Sequence, residues 1–128
     1  MQILVHGWSV VQVEGKRPFA YSVGILETLA HPELVVMDMK LDSALSLINY
    51  VGGVIRDNGG MADPDVLRLD GISLVDVHAK HVRSDLFGSW EGYYGEPPRP
   101  GDFMQILPPP EVYCACHRHA YRRLDRAA

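Results

Sequence analysis

The chain opens on a run of β-branched and aromatic residues, Trp8 to Val13 (WSVVQV), followed by Glu14-Gly15-Lys16; together they predict a strand and a turn. From Phe19 to Ile25 (FAYSVGI) large and small side chains alternate. Phe19, Tyr21, Val23 and Ile25 share one face, and Ala20, Ser22 and Gly24 share the other. The large face reads as core, while the small face lets a packed helix or a ligand come close to the sheet. His31-Pro32 breaks the pattern, because proline drives the preceding residue out of helical geometry. Glu33 to Asp38 (ELVVMD) then predicts a short buried strand. Leu41, Ala44, Leu45, Ile48, Val51, Gly52 and Ile55 follow the helical period, with Asp42 as the expected N-cap and Asn58-Gly59-Gly60 as the stop. Gly52 and Gly53 each weaken that helix by about 1 kcal/mol relative to alanine, which points to close packing on the sheet.

Beyond Pro64, Val66–Leu69 and Ile72–Val77 flank Asp70-Gly71, and this predicts a two-residue hairpin. Ser84 is placed to cap a second helix that turns Leu86, Phe87, Trp90 and Tyr94 inward, with Gly95 closing it. Phe103 to Leu107 (FMQIL) predicts a final strand, stopped by Pro108, Pro109 and Pro110. The tail from Cys114 to Arg126 is polar and basic, and its end is read as helical. The expected architecture is a single α+β domain over residues 1–128, mostly antiparallel, with two helices; a split-barrel-like arrangement is one form it can take.

Composition narrows the function classes. With 128 residues, 47% apolar and 22% charged, the chain has the make-up of a globular domain. A net charge of −4 argues against nucleic acid and anionic membranes as partners. Arg118, Arg122, Arg123 and Arg126 cluster near the end, but Asp125 interrupts them, and a solvated face explains them. No apolar run approaches the ~20 residues of a spanning helix. Met1 to His6 shows no secretory signal, and the two cysteines exclude a disulfide scaffold. A cytoplasmic location is expected.

Three constellations carry candidate chemistry. Cys114-Ala115-Cys116-His117-Arg118-His119 packs two thiols and two imidazoles into six residues, at a spacing unlike that of a zinc finger. His78 and His81, three apart, are the partners that would complete a transition-metal site with Cys116 and His119. A thiol reaction at Cys116, with its pKa lowered by His117 and the arginines, is the enzymatic version of the same cluster. The second constellation is Tyr21, Ser22, Glu27, His31 and Glu33, a hydroxyl, acids and a base around the small-faced strand. Within it, Tyr21, Ser22, Gly24 and His31 are the expected ligand contacts. The third is an aromatic surface from Trp90, Tyr93 and Tyr94 for a protein partner. No GxSxG, HExxH or dinucleotide fingerprint is present.

Several separated motifs occur in order: HGWSVVQV, PFAYSVGI, HPELVVM, SDLFGSWEGYYG and GDFMQILPPP. In these the chain resembles a bacterial family of domains of unknown function, family 4262, from His6 to about Arg123. The resemblance implies a bacterial, soluble, usually free-standing domain and carries over no catalytic residue. Relatives look as though they enter HGW from a helix, whereas here five residues precede His6. A looser likeness is to flavin-binding split barrels, where small residues on an early strand let the ring lie against backbone at a dimer interface. Flavin and a homodimer are therefore further candidates beside a small-molecule ligand.

Overall fold

A computed structural model describes residues 2–5, 7–62, 64–82, 85–108 and 123–125. The strands are β1 (Gln2–Val5), β2 (Trp8–Val13), β3 (Phe19–Val23), β4 (Glu33–Met37), β5 (Ser73–Asp76) and β6 (Phe103–Leu107). They form one six-stranded sheet in the order β1-β2-β3-β4-β6-β5. Every pairing is antiparallel except β4 with β6, where Glu33 lies beside Phe103 and Val35 beside Gln105. The α+β expectation holds, and the sheet is open, not closed into a barrel.

β3 and β4 are buried on both faces, as central strands of a covered sheet are. On one face the core gathers Trp8, Val10, Ala20, Leu34, Val36 and Ile106 under helix α2 (Leu41–Asp57). The other face carries Tyr21, Val23, Val35, Phe103, Phe87, Trp90 and Leu124. It is covered by α4 (Ala79–Val82), a 3₁₀ turn (Asp85–Phe87) and α5 (Gly88–Tyr94). Within β3 the predicted alternation of large and small residues is this division, and the helix is what comes close to Ala20; Ile25, predicted on the large face, instead begins the next helix and packs with Ala20. Trp8 packs its indole on Gly52, where an added Cβ would sit 2.6 Å from Trp8 Cζ2, and Trp8 Nε1 donates to Asn49 Oδ1 at 3.2 Å.

Beside the two helices expected, the described residues hold α1 (Ile25–Leu29), α3 (Pro64–Leu69) and α4. Val66–Leu69 is thus helix and not the first arm of a hairpin. Proline begins that helix, Asp65 lies in its first turn and Arg68 in its last, all favourable to it. The Asp70-Gly71 pair closes it: Ile72 N–H donates to Leu67 O at 2.9 Å and Gly71 N–H to Arg68 O at 2.9 Å, with Gly71 left-handed at φ 73°. This is a Schellman cap, and Ile72 buries itself with Leu67 as such caps require. The stop of α2 has the same form, with Gly60 N–H on Ile55 O and Gly59 N–H on Arg56 O. Its start differs from expectation: the N-cap is Lys40, with no side-chain cap, and Asp42 lies in the first turn, where it complements the helix dipole. Ser84 and most of the tail lie outside the described residues. Within the tail, Leu124 is buried, with its N–H on Gln105 Oε1 and its carbonyl accepting from His78 N–H, both at 2.6 Å. Among the described residues no helix is long and apolar enough to cross a membrane.

Candidate functional site

The β3–β4 ladder runs to Tyr21 opposite Val35, and beyond it a side chain takes over. Leu34 N–H donates to Ser22 Oγ at 2.9 Å, and the Ser22 hydroxyl donates to Glu33 Oε1 at 2.8 Å. Gly24 then turns the chain into α1. Its φ of 118° suits glycine alone, and a Cβ there would press on Gly7 O and Trp8 Cα, at 3.1 and 3.2 Å. This turn aims two backbone N–H groups at the same carboxylate, Ile25 at Oε1 (2.9 Å) and Gly24 at Oε2 (3.0 Å). From the opposite side α5 adds Trp90 Nε1 (3.2 Å) and the Tyr94 hydroxyl (2.9 Å), both to Oε2.

Glu33 is fully buried and accepts from five donors, and none of the ion pairs among the described residues involves it. Burial pushes its pKa up, with the hydrogen bonds from Gly24, Ser22, Tyr94 and Ile25 pulling against that with less effect. Tyr94 is pushed up as well, by its own burial first and then by the Glu33 charge. Chemically the carboxylate is saturated: no lone pair faces an opening, so in this conformation it accepts no substrate proton. Its work is to tie β3, β4, α1 and α5 into one polar centre. At the surface above it the Tyr93 hydroxyl donates to Glu27 Oε2 at 2.7 Å.

The sequence constellation around the small-faced strand divides here. Ser22 and Gly24 contact Glu33 directly. Tyr21 lies among Phe19, Phe87 and Phe103 and accepts from Ser89 N–H at 3.1 Å. His31, 8% exposed, donates from Nδ1 to Pro32 O at 2.8 Å and does not bond Glu33; burial lowers its pKa. All four expected ligand contacts are therefore inside the protein. Trp90 and Tyr94 were expected to face inward, but their convergence on Glu33 had no sequence signal, because it depends on how α5 crosses the sheet. Of the aromatic trio, Trp90 is buried, Tyr94 half-buried and Tyr93 exposed.

His78 and His81 have ring centroids 6.4 Å apart, and His78 Nδ1 accepts the Lys80 N–H at 3.0 Å, which occupies one of its two nitrogens. Cys116 and His119 lie outside the described residues. Among the described residues no group of three His, Cys, Asp or Glu side chains is arranged to hold a metal.

Open space lies elsewhere. A groove of about 400 Å³ runs between α3 and the β5–β6 end of the sheet, lined by Ala62, Leu67, Arg68, Ile72, Ser73, Leu74 and Met104. It exists because α2 lies chiefly over β2, β3 and β4 and leaves the edge strand β5 to the six-residue α3. A shallower depression of about 460 Å³ follows α2 past Met39, Asp42, Ser46 and Tyr50. Sequence reasoning missed the groove, since reading Val66–Leu69 as a strand removed the helix that makes its wall.

Fold and site together define an α+β protein built on one open mixed sheet with a carboxylate sealed at its centre. The chain belongs to the family described as Domain of unknown function (DUF4262), whose model matches residues 2–111, the family to which the separated motifs pointed. No curated protein and no solved structure matches the chain.

Proposed function

We propose that this protein is a small-molecule-binding domain and that the ligand occupies the groove between α3 and the β5–β6 end of the sheet. The observation that carries this reading is the groove itself: about 400 Å³, within the usual range for ligand sites, with an apolar floor and few polar groups. Leu67 and Ile72 are buried and Leu74 and Met104 partly buried, so apolar surface is already assembled there before any ligand arrives. The small face of β3 serves the fold, packed by α2 and sealed around Glu33, and the ligand is placed away from it. A partner other than nucleic acid fits the net charge of −4. Two cysteines in 128 residues fit a reducing cytoplasm, and we place the chain in a bacterium on the resemblance of its motifs.

Native mass spectrometry of protein purified without added cofactor, set against the denatured mass, tests this directly. Bound mass that disappears in a Leu74→Trp variant, whose indole fills the groove, supports the reading. Retention of that mass in a folded Leu74→Trp protein moves the ligand elsewhere. For protein that arrives empty, a mixture of small apolar metabolites should shift the methyl resonances of Leu67, Ile72, Leu74 and Met104. No shift at any of them overturns the proposal.

A further inference from the structure

The chemistry of the groove's lining identifies a ligand class, an inference that rests on the binding reading above. Among the lining residues one carries a charge, Arg68, and it is a cation in a chain whose net charge is −4. It stands in the last turn of α3, 78% exposed, and among the described residues its ion pair is a loose 3.5 Å contact with Asp65 across a single helical turn. A pair that exposed is held weakly, so the guanidinium is available to a better partner. Of the rest, Ala62, Leu67, Ile72, Leu74 and Met104 are apolar.

From this polarity we infer that the groove takes an amphipathic monocarboxylate, its hydrocarbon on Leu67, Ile72, Leu74 and Met104 and its carboxylate on Arg68. An arginine fork matches a carboxylate in two parallel hydrogen bonds. The hydrocarbon gains from Met104, whose flexible thioether adapts to irregular apolar shapes. A neutral alcohol of the same length finds the same floor but leaves the guanidinium without a charge to pair.

Decanoate and decanol are the probes, titrated into full-length protein with the methyl groups observed by NMR. Decanoate should bind about tenfold more tightly than decanol, with both shifting Leu67, Ile72, Leu74 and Met104. Arg68→Gln should bring decanoate down to the affinity of decanol and leave decanol unchanged; the exposure of Arg68 keeps the fold intact, and the unperturbed part of the spectrum verifies it. Equal affinity of the two probes in the native protein, or decanoate binding indifferent to Arg68→Gln, overturns the carboxylate class while the groove survives as a ligand site. If neither probe moves those methyls, both this inference and the binding reading fall.

Discussion

Tyr94 donates its hydroxyl to Glu33 Oε2 at 2.9 Å across 61 residues of sequence, and Glu33 in turn accepts from Ser22, Gly24, Ile25 and Trp90. Two distant stretches of chain are thereby closed on a single buried carboxylate. Neutral donors alone hold it, among them two N–H groups at the start of α1, in the manner of an anion bound by backbone amides. The cost of such burial is moderated only while every lone pair is occupied.

Removing acceptors from that centre strands its donors. Glu33→Gln replaces one oxygen by an amide NH₂ that faces either Ile25 N–H or Gly24 N–H, and should lose about 1–3 kcal/mol. Glu33→Ala leaves all five donors unsatisfied around a void and should exceed about 4 kcal/mol. Urea denaturation of both variants measures this. A Glu33→Gln protein as stable as the native one would show that the carboxylate is not the hub described.

The two adjacent tyrosines should behave differently although each bonds a glutamate. Tyr94→Phe removes a donor from the buried carboxylate and should cost about 1 kcal/mol. Tyr93→Phe breaks only an exposed contact to Glu27, and its Tm should match that of the native protein. Equal losses in thermal melts would mean that Glu27 and Tyr93 belong to the same buried network.

Much of the sheet was legible in the sequence because β2, β3, β4 and β6 are short apolar runs between clear breakers, such as Glu14-Gly15-Lys16 and His31-Pro32. Helix α2 was legible from its 3.6-residue period and its Asn58-Gly59-Gly60 stop. Val66–Leu69 was not, because four residues of mixed polarity fit either period, and Asp-Gly serves a Schellman cap as well as a hairpin. The site was half legible. Ser22, Gly24 and Glu33 lie within twelve residues and could be grouped by eye, whereas Trp90 and Tyr94 reach Glu33 only through tertiary packing. The groove had no local signature at all, since it is the part of a sheet face that one long helix fails to cover.

The paired glycines of α2 give a prediction of opposite signs. Ala at position 52 would place Cβ 2.6 Å from Trp8 Cζ2, so Gly52→Ala should destabilise by about 1–3 kcal/mol despite the better helix propensity. At Gly53 the nearest neighbour of such a Cβ is the far end of Arg56, 3.7 Å away, and Gly53→Ala should stabilise by up to about 1 kcal/mol. Paired thermal melts decide it; a gain in both variants would mean that Trp8 yields freely and that the close helix–sheet contact is not tight.

Two buried groups should bend the stability curve in opposite directions with pH. Burial lowers the pKa of His31 below 6.5, so on acidification the unfolded chain takes up this proton first. The His31 contribution is therefore complete above pH 6.5 and declines as pH falls toward the folded-state value. Glu33 is raised above 4.5, so the folded chain holds its proton longer as pH increases. Its contribution is complete below pH 4.5 and is lost as pH rises through the folded-state value. Unfolding free energies measured at steps from about pH 4 to about pH 8 should separate the two. Against the native protein, His31→Gln should remove a slope that favours higher pH just below 6.5. Glu33→Gln should remove one of the opposite sign above 4.5. If the native and His31→Gln curves run parallel throughout, the imidazole titrates alike in both states, and His31 is not held neutral by its burial.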